Sequence, residues 1–215
     1  MPFEIKIEYE GNTDMNRIAK EFQGRLSEKE ILRTAAFAVN ITARRILGML
    51  KKDVKKDYTI TNKYLDRAAK LTKPASGSIS GLYAVISYSP KTIPMSGFNF
   101  TDLNKSGEFV TYNKPVNGVR IEIKKGKQEI LRHAFVKTMK SGHLGIWGHG
   151  SYKGGKFVPS DTRTGGGKPK ITEMKTASPF TMYTNPKMDE RILKAAKQMP
   201  ERYRALLQKK VDKLN

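Results

Sequence analysis

Apolar and charged positions alternate over the first ten residues: Phe3, Ile5, Ile7 and Tyr9 fall on one side, Glu4, Lys6, Glu8 and Glu10 on the other. A period of two is that of a strand with one wet face. Asp14 opens a short helix to about Phe22. The next four polar residues, "SEKE" at 27–30, have the form of a capping box, Ser27 bonding forward and Glu30 reaching back. Beyond it Ile31, Ala35, Ala38, Val39, Thr42, Ile46, Met49 and Leu50 recur at helical spacing, while Arg33, Arg44, Arg45, Lys51 and Lys52 fall mostly elsewhere. The pattern predicts one long helix over 27–56 with its apolar face packed on a sheet.

Thr61 can cap a further helix, "TNKYLDRAAKL", which Pro74 and the run "SGSISG" bring to an end. The period then changes to two. "LYAVISYS" and "VRIEIKKG" both alternate, Val119, Ile121 and Ile123 opposing Arg120, Glu122 and Lys124, and they read as antiparallel neighbours. The long connection between them reads as an excursion with one strand around Phe109–Tyr112. "ILRHAFVKTM" is a short apolar segment, "HLGIWGH" a strand, and "ITEM" a return to the sheet. Residues 150–169, rich in Gly and Lys, read as a flexible loop. Asn185-Pro186 begins a helical tail interrupted near Pro200. These elements predict an α+β fold: a mostly antiparallel β-sheet packed by one long α-helix, with extended loops and a helical C-terminus. The expected organisation is a single domain over 1–185 followed by a helical segment over 186–215.

Charge changes the picture more than length does. Among 215 residues, 41 are Lys or Arg and 20 are Asp or Glu, a formal net charge of +21. Only 38% of the chain is apolar and 28% is charged, which suits a protein that works against a partner. A field of that sign attracts nucleic acid, an acidic membrane or an acidic protein face. The chain has no cysteine, which excludes a disulfide framework and thiolate zinc sites and fits synthesis in a reducing cytosol. No window approaches the roughly eighteen apolar residues of a membrane span, so no membrane partner is expected.

Candidate chemistry converges on residues 133–157, which hold His133, His143 and His149, the single tryptophan Trp147, and six glycines. A zinc-protease pattern would place two histidines four apart on one helix with a Glu between them; here the intervening sequence is broken by glycine and contains no acid. Gly150–Lys156 reads G-x-x-x-x-G-K, the front of a phosphate-binding loop. The following Phe157-Val158-Pro159 supplies neither the magnesium-binding Ser or Thr nor a helix start. No G-x-S-x-G turn is present. No catalytic residue, metal ligand or cofactor site is therefore predicted. Trp147, Tyr152 and Phe157 interleaved with Lys153, Lys156 and Arg163 could stack on bases and meet phosphates, although the charge is diffuse rather than gathered in one stripe.

The run "GVRIEIKKGKQEILRHAFVKTMKSGHLGIWGH" resembles the prophage minor tail protein Z family, the tail completion proteins of lambda-like tailed phages. The matching features are the strand and basic-Gly turn of Val119–Gly126, Ala134-Phe135, Met139–His143 and the aromatic strand at Ile146-Trp147. The likeness extends to "FEIKI", "RTAAFAVNITARRIL", "IPMSGF" and "KPKITEMKTASP". The chain departs from the family's pattern at Gly148-His149, where an Arg is common, and at Ala177-Ser178-Pro179, where Gly-Pro-Ser is. The resemblance implies a non-enzymatic virion protein, made in the host bacterial cytoplasm. Its expected place is the tail or neck, as a ring-forming subunit, a hexamer, at the head-tail junction. Partners would be further copies of itself and the tail terminator, tail tube or head-closure proteins, with nonspecific contact to phage DNA. Alternatives are a tail terminator capping the tube, or a basic DNA-binding factor in packaging or head-tail joining. Under the family reading, Trp147, His143, His149, Tyr152, Lys153, Lys156, Phe157, Arg163 and Lys168 form an assembly loop that orders on docking.

Overall fold

A computed structural model describes residues 4–8, 13–104, 117–159, 170–176, 178, 180–183 and 186–214. The fold is α+β, and every strand pairing between its named strands is antiparallel. Two compact units share the chain. One draws on Met1–Val54, Asp66–Pro90 and Pro179–Asn215, the other on Lys55–Leu65 and Lys91–Ser178.

The first unit contains β1 (Glu4–Glu8), α1 (Thr13–Phe22) and the long helix α2 (Glu28–Asp57) as far as Val54. The capping box forms as its sequence predicts: the Ser27 amide donates to Glu30 Oε2 at 3.1 Å and the Glu30 amide to Ser27 Oγ at 3.4 Å. The Ser27 hydroxyl, followed by its amide, holds the Glu30 carboxyl below the usual range. Ile31, Ala35, Ala38, Val39, Thr42, Ile46 and Leu50 are buried, and Arg33, Arg44, Arg45 and Lys52 are exposed. One stripe of an unbroken thirty-residue helix thus faces the core.

The helix expected from Thr61 is shorter than its sequence suggests. α3 (Asn62–Ala68) stops where β2 (Ala69–Lys73) begins, and β2 pairs with β3 (Tyr83–Tyr88). "AAKL" has good helix propensity, but the ladder to β3 overrides it, a bulge between Leu71 and Lys73 taking up the mismatch. The sheet order is β1-β3-β2. Asn40 of α2 fastens the following segment, donating to the Ala75 carbonyl at 2.9 Å and accepting from the Ala75 amide at 2.8 Å.

The C-terminal residues complete the same unit as α4 (Phe180–Tyr183), α5 (Pro186–Lys197) and α6 (Met199–Val211). Pro200 lies in the first turn of α6, where its missing N–H is no loss, so the interruption expected there is a helix restart. Met199, Tyr203, Leu207 and Val211 are buried, and the Tyr203 hydroxyl donates to the Ile31 carbonyl at 3.3 Å. Fully burying side chains of this size stabilises by about 1.5–3 kcal/mol each. Arg204 pairs with Glu21 at 2.8 Å, joining α6 to α1, and Arg191 pairs with Asp53. The Tyr88 and Tyr183 rings meet tilted, with centroids 4.9 Å apart, and burial raises both phenols well above their ordinary range.

Among the described residues the second unit holds two sheets. β4 (Asn99–Asp102), β5 (Val119–Glu122) and β6 (Gln128–Leu131) form one, in that order. "LYAVISYS" and "VRIEIKKG" are therefore strands but not neighbours: β3 lies between β1 and β2, and β5 between β4 and β6. Alternation shows that a segment is a half-buried strand, and carries nothing about its partner. The strand expected around Phe109–Tyr112 lies outside the described residues. In the other sheet β8 (Leu144–Lys153) is flanked by β7 (Ala134–Thr138) and β10 (Ile171–Glu173), and also pairs with β9 (Lys156–Pro159). No helix among the described residues is long and apolar enough to cross a membrane.

Candidate functional site

Of the residues singled out in the sequence, Trp147, His149, Tyr152 and Lys153 lie on β8, and Lys156 and Phe157 on β9. "SYKGGKF" folds as a hairpin, Ser151 opposite Val158, Tyr152 opposite Phe157 and Lys153 opposite Lys156, with Gly154 and Gly155 as the two-residue turn. Both turn glycines have positive φ, 55° and 77°, which suits the tight turn that matches strand twist. Residues 150–159, expected within a flexible loop, form this paired hairpin. Its glycines and lysines suggested a flexible loop, yet the two residues on either side of Gly-Gly alternate in the manner of hairpin arms. Residues 160–169, with Arg163 and Lys168, lie outside the described residues.

Glycines inside β8 serve the aromatic rings. A Cβ on Gly145 would lie 2.8 Å from Trp147 Nε1, and one on Gly148 would lie 2.6 Å from Phe157 Cζ. Trp147 and Phe157 therefore lie against bare backbone of the same sheet, as rings do when they shield strand glycines. Trp147 is held further: its indole N–H donates to the Lys137 carbonyl at 3.0 Å, and its strand neighbours are Phe135 on β7 and Glu173 on β10. Tyr152 meets Phe157 edge-on at 5.5 Å. Its hydroxyl donates to the Lys175 carbonyl at 2.9 Å and accepts from the Lys175 amide at 2.6 Å.

The histidines have separate settings. His133 is exposed between β6 and β7. His143 closes the β7–β8 turn, where the Met139 amide donates to the His143 carbonyl at 2.9 Å and Gly142 takes a φ of 77°. Its Nε2 lies 2.5 Å from Glu173 Oε1, and its ring meets Trp147 edge-on at 6.0 Å. His149 lies 5.2 Å from the Phe135 ring, and burial pulls its pKa below the ordinary value. Among the described residues no group of three or more His, Asp or Glu side chains is placed to hold a metal. Gly150–Lys156 runs through a hairpin rather than into a helix, so its amides do not form the cradle of a phosphate loop.

The solvent-facing part of the hairpin is cationic. Lys153 and Lys156 are exposed and directly opposite across the turn, and exposed Val158 and Ile171 add apolar surface at the neighbouring strands. Like charges facing each other across a ladder destabilise it, so an anionic partner would be favoured at this tip. Sequence reasoning missed Glu173 and Lys175, which lie well beyond β8 in the chain. The Gly-Gly pair between alternating residues was the available signal for the hairpin. Comparisons with protein-family models, curated protein sequences and solved structures give no match to this chain.

Proposed function

We propose that the chain is a structural, non-enzymatic subunit of a tailed-bacteriophage virion. In this reading it is a ring-forming tail completion or neck protein at the head-tail junction. The likeness of Val119–Trp147 to the tail protein Z family supplies the assignment. The observation that carries a docking role is the Lys153–Lys156 pair at the tip of a hairpin braced by Tyr152, Phe157 and Trp147. A braced scaffold presents two cations at low entropic cost to an acidic face, which suits assembly better than a loop that must order on binding. The reading thus changes in one respect from that expected of the sequence: the aromatic rings hold the hairpin's shape, and the lysines make the contact.

The same lysines also suit phosphates, so a basic DNA-binding factor is the second reading, favoured by the net charge of +21. Solution mass of the purified protein, alone and with capped or uncapped tail tubes, combined with electron microscopy, separates them. A ring at one tube end or in the neck is the expected result and distinguishes a terminator from a completion layer. A monomer that ignores tails and forms a sequence-dependent, nanomolar DNA complex at physiological salt would replace assembly with DNA binding.

A further inference from the structure

A second surface, away from the hairpin in sequence, lies in the first unit between the N-terminal half of α2 and the C-terminal half of α6. It is a groove of about 350 Å³ lined by Phe37, Leu206 and Thr34 together with the cationic side chains Arg33, Lys209, Lys210 and Lys213. Phe37 is 50% exposed, on a helix whose core-facing stripe is otherwise filled. Residues 206, 209 and 210 of α6, with Lys213 in the turn just beyond it, follow the i, i+3, i+4, i+7 spacing of one helical face, beside the buried stripe of Tyr203, Leu207 and Val211.

Among the described residues the groove's lining includes four cations and no Asp or Glu. Glu30, whose carboxylate feels Lys210 and Arg33, is already engaged by the Ser27 amide and hydroxyl. Neither the helix pairing nor the core requires four like charges there. Their stems can line the groove while their heads stay in water, which leaves a cationic rim around an aromatic seat.

We propose that the α2–α6 groove, lined by Phe37, Leu206, Arg33, Lys209, Lys210 and Lys213, is a docking site for an acidic amphipathic segment of a partner protein. One large apolar side chain of the segment seats on Phe37 and Leu206, and carboxylates flanking it meet the rim. Charge complementarity selects this occupant: an apolar ligand alone makes no use of the four lining cations, and a purely anionic one leaves Phe37 in water. The site goes beyond the virion reading and does not depend on it, since it uses none of the hairpin residues.

The test is fluorescence polarisation at physiological ionic strength with a labelled Glu-rich peptide bearing a central Leu-Trp pair, and with the same peptide carrying Ser at both positions. Lys209→Glu/Lys213→Glu reverses two rim charges, while Lys125→Glu/Lys127→Glu makes the same change in net charge on exposed residues of the other unit. The groove variant is expected to bind about tenfold or more weakly and the control within about twofold of the parent. Phe37→Ser should abolish the preference for the Leu-Trp peptide over the Ser peptide, with circular dichroism confirming that each variant is folded. Equal weakening by both double variants, or indifference to Leu-Trp, would reduce the groove to bulk electrostatics and overturn the site. Tighter, groove-dependent binding of single-stranded DNA or of phosphatidylglycerol vesicles would overturn the occupant.

Discussion

Replacing Trp147 by Ala tests whether the indole is part of the sheet or a free anchor. Trp147 is half-buried, lies against Gly145, donates to the Lys137 carbonyl at 3.0 Å and meets His143 edge-on. Removing a fully buried aromatic costs about 3–5 kcal/mol, so half-burial sets a packing loss of about 2 kcal/mol. The lost hydrogen bond adds about 1 kcal/mol or less, because the freed carbonyl lies where water can reach it. A total of about 2–3 kcal/mol corresponds to a fall in Tm of roughly 5–10 °C for a protein of this length. Trp147→Phe keeps the ring over Gly145 and should lose only about 1 kcal/mol. Urea and thermal unfolding followed by far-ultraviolet circular dichroism measure this without the single tryptophan as reporter. Ring formation is scored in parallel, well below the variant's melting point. Unchanged melting together with failed assembly would refute the structural account and restore Trp147 as a docking anchor. Lower melting with normal assembly would confine the indole to holding the sheet.

Three further outcomes are expected. Lys156→Glu should stabilise the free hairpin by a few tenths of a kcal/mol, by turning a facing like-charge pair into an opposite one, while weakening attachment to tails in a pelleting assay. Gly154→Asn should leave melting within about 0.5 kcal/mol of the parent, since Asn-Gly suits the same turn, whereas Gly154→Val should cost about 1–2 kcal/mol at a φ of 55°. The pH dependence follows from His149, whose folded pKa lies below its ordinary value of about 6.5 because burial opposes the charged ring. Within that window the unfolded chain binds more protons. The contribution is therefore complete above about pH 6.5 and is lost as pH falls through the depressed value. His149→Gln should flatten that part of a stability profile measured by urea midpoints; an unchanged slope would assign it to another group.

Features governed by neighbours in sequence were legible without coordinates. Ser27 and Glu30 meet within one turn, so their box and the helix it starts are written locally, as are the interruption at Pro200 and the stripe of Ile31, Ala35, Ala38, Val39, Thr42, Ile46 and Leu50, although Met49 of the expected stripe is only partly buried. β1, β3 and β5 were readable as strands because alternation needs no knowledge of a partner; β10 and the start of β8 were also read as strand, but Gly150–Lys153 of β8 was read as loop. At "AAKL" the same local reasoning failed, since a ladder with β3 outweighs a small helix preference. The candidate site was legible in composition and not in arrangement. Trp147, Tyr152 and Phe157 were visible as aromatics among lysines, but the rings' resting places depend on Gly145 and Gly148, and Tyr152's anchor is the backbone of Lys175.

Sequence alone determined the charge excess, the absence of cysteine, the α+β class and the face of α2 that turns inward, because each depends on residue identity or on spacing within one element. Only tertiary structure decided which strands pair, that an acid lies 2.5 Å from His143, and that Phe37 and four cations share a groove. Those relations join residues far apart in the chain, and what brings them together is the summed burial and hydrogen bonding of whole elements, which no local pattern records.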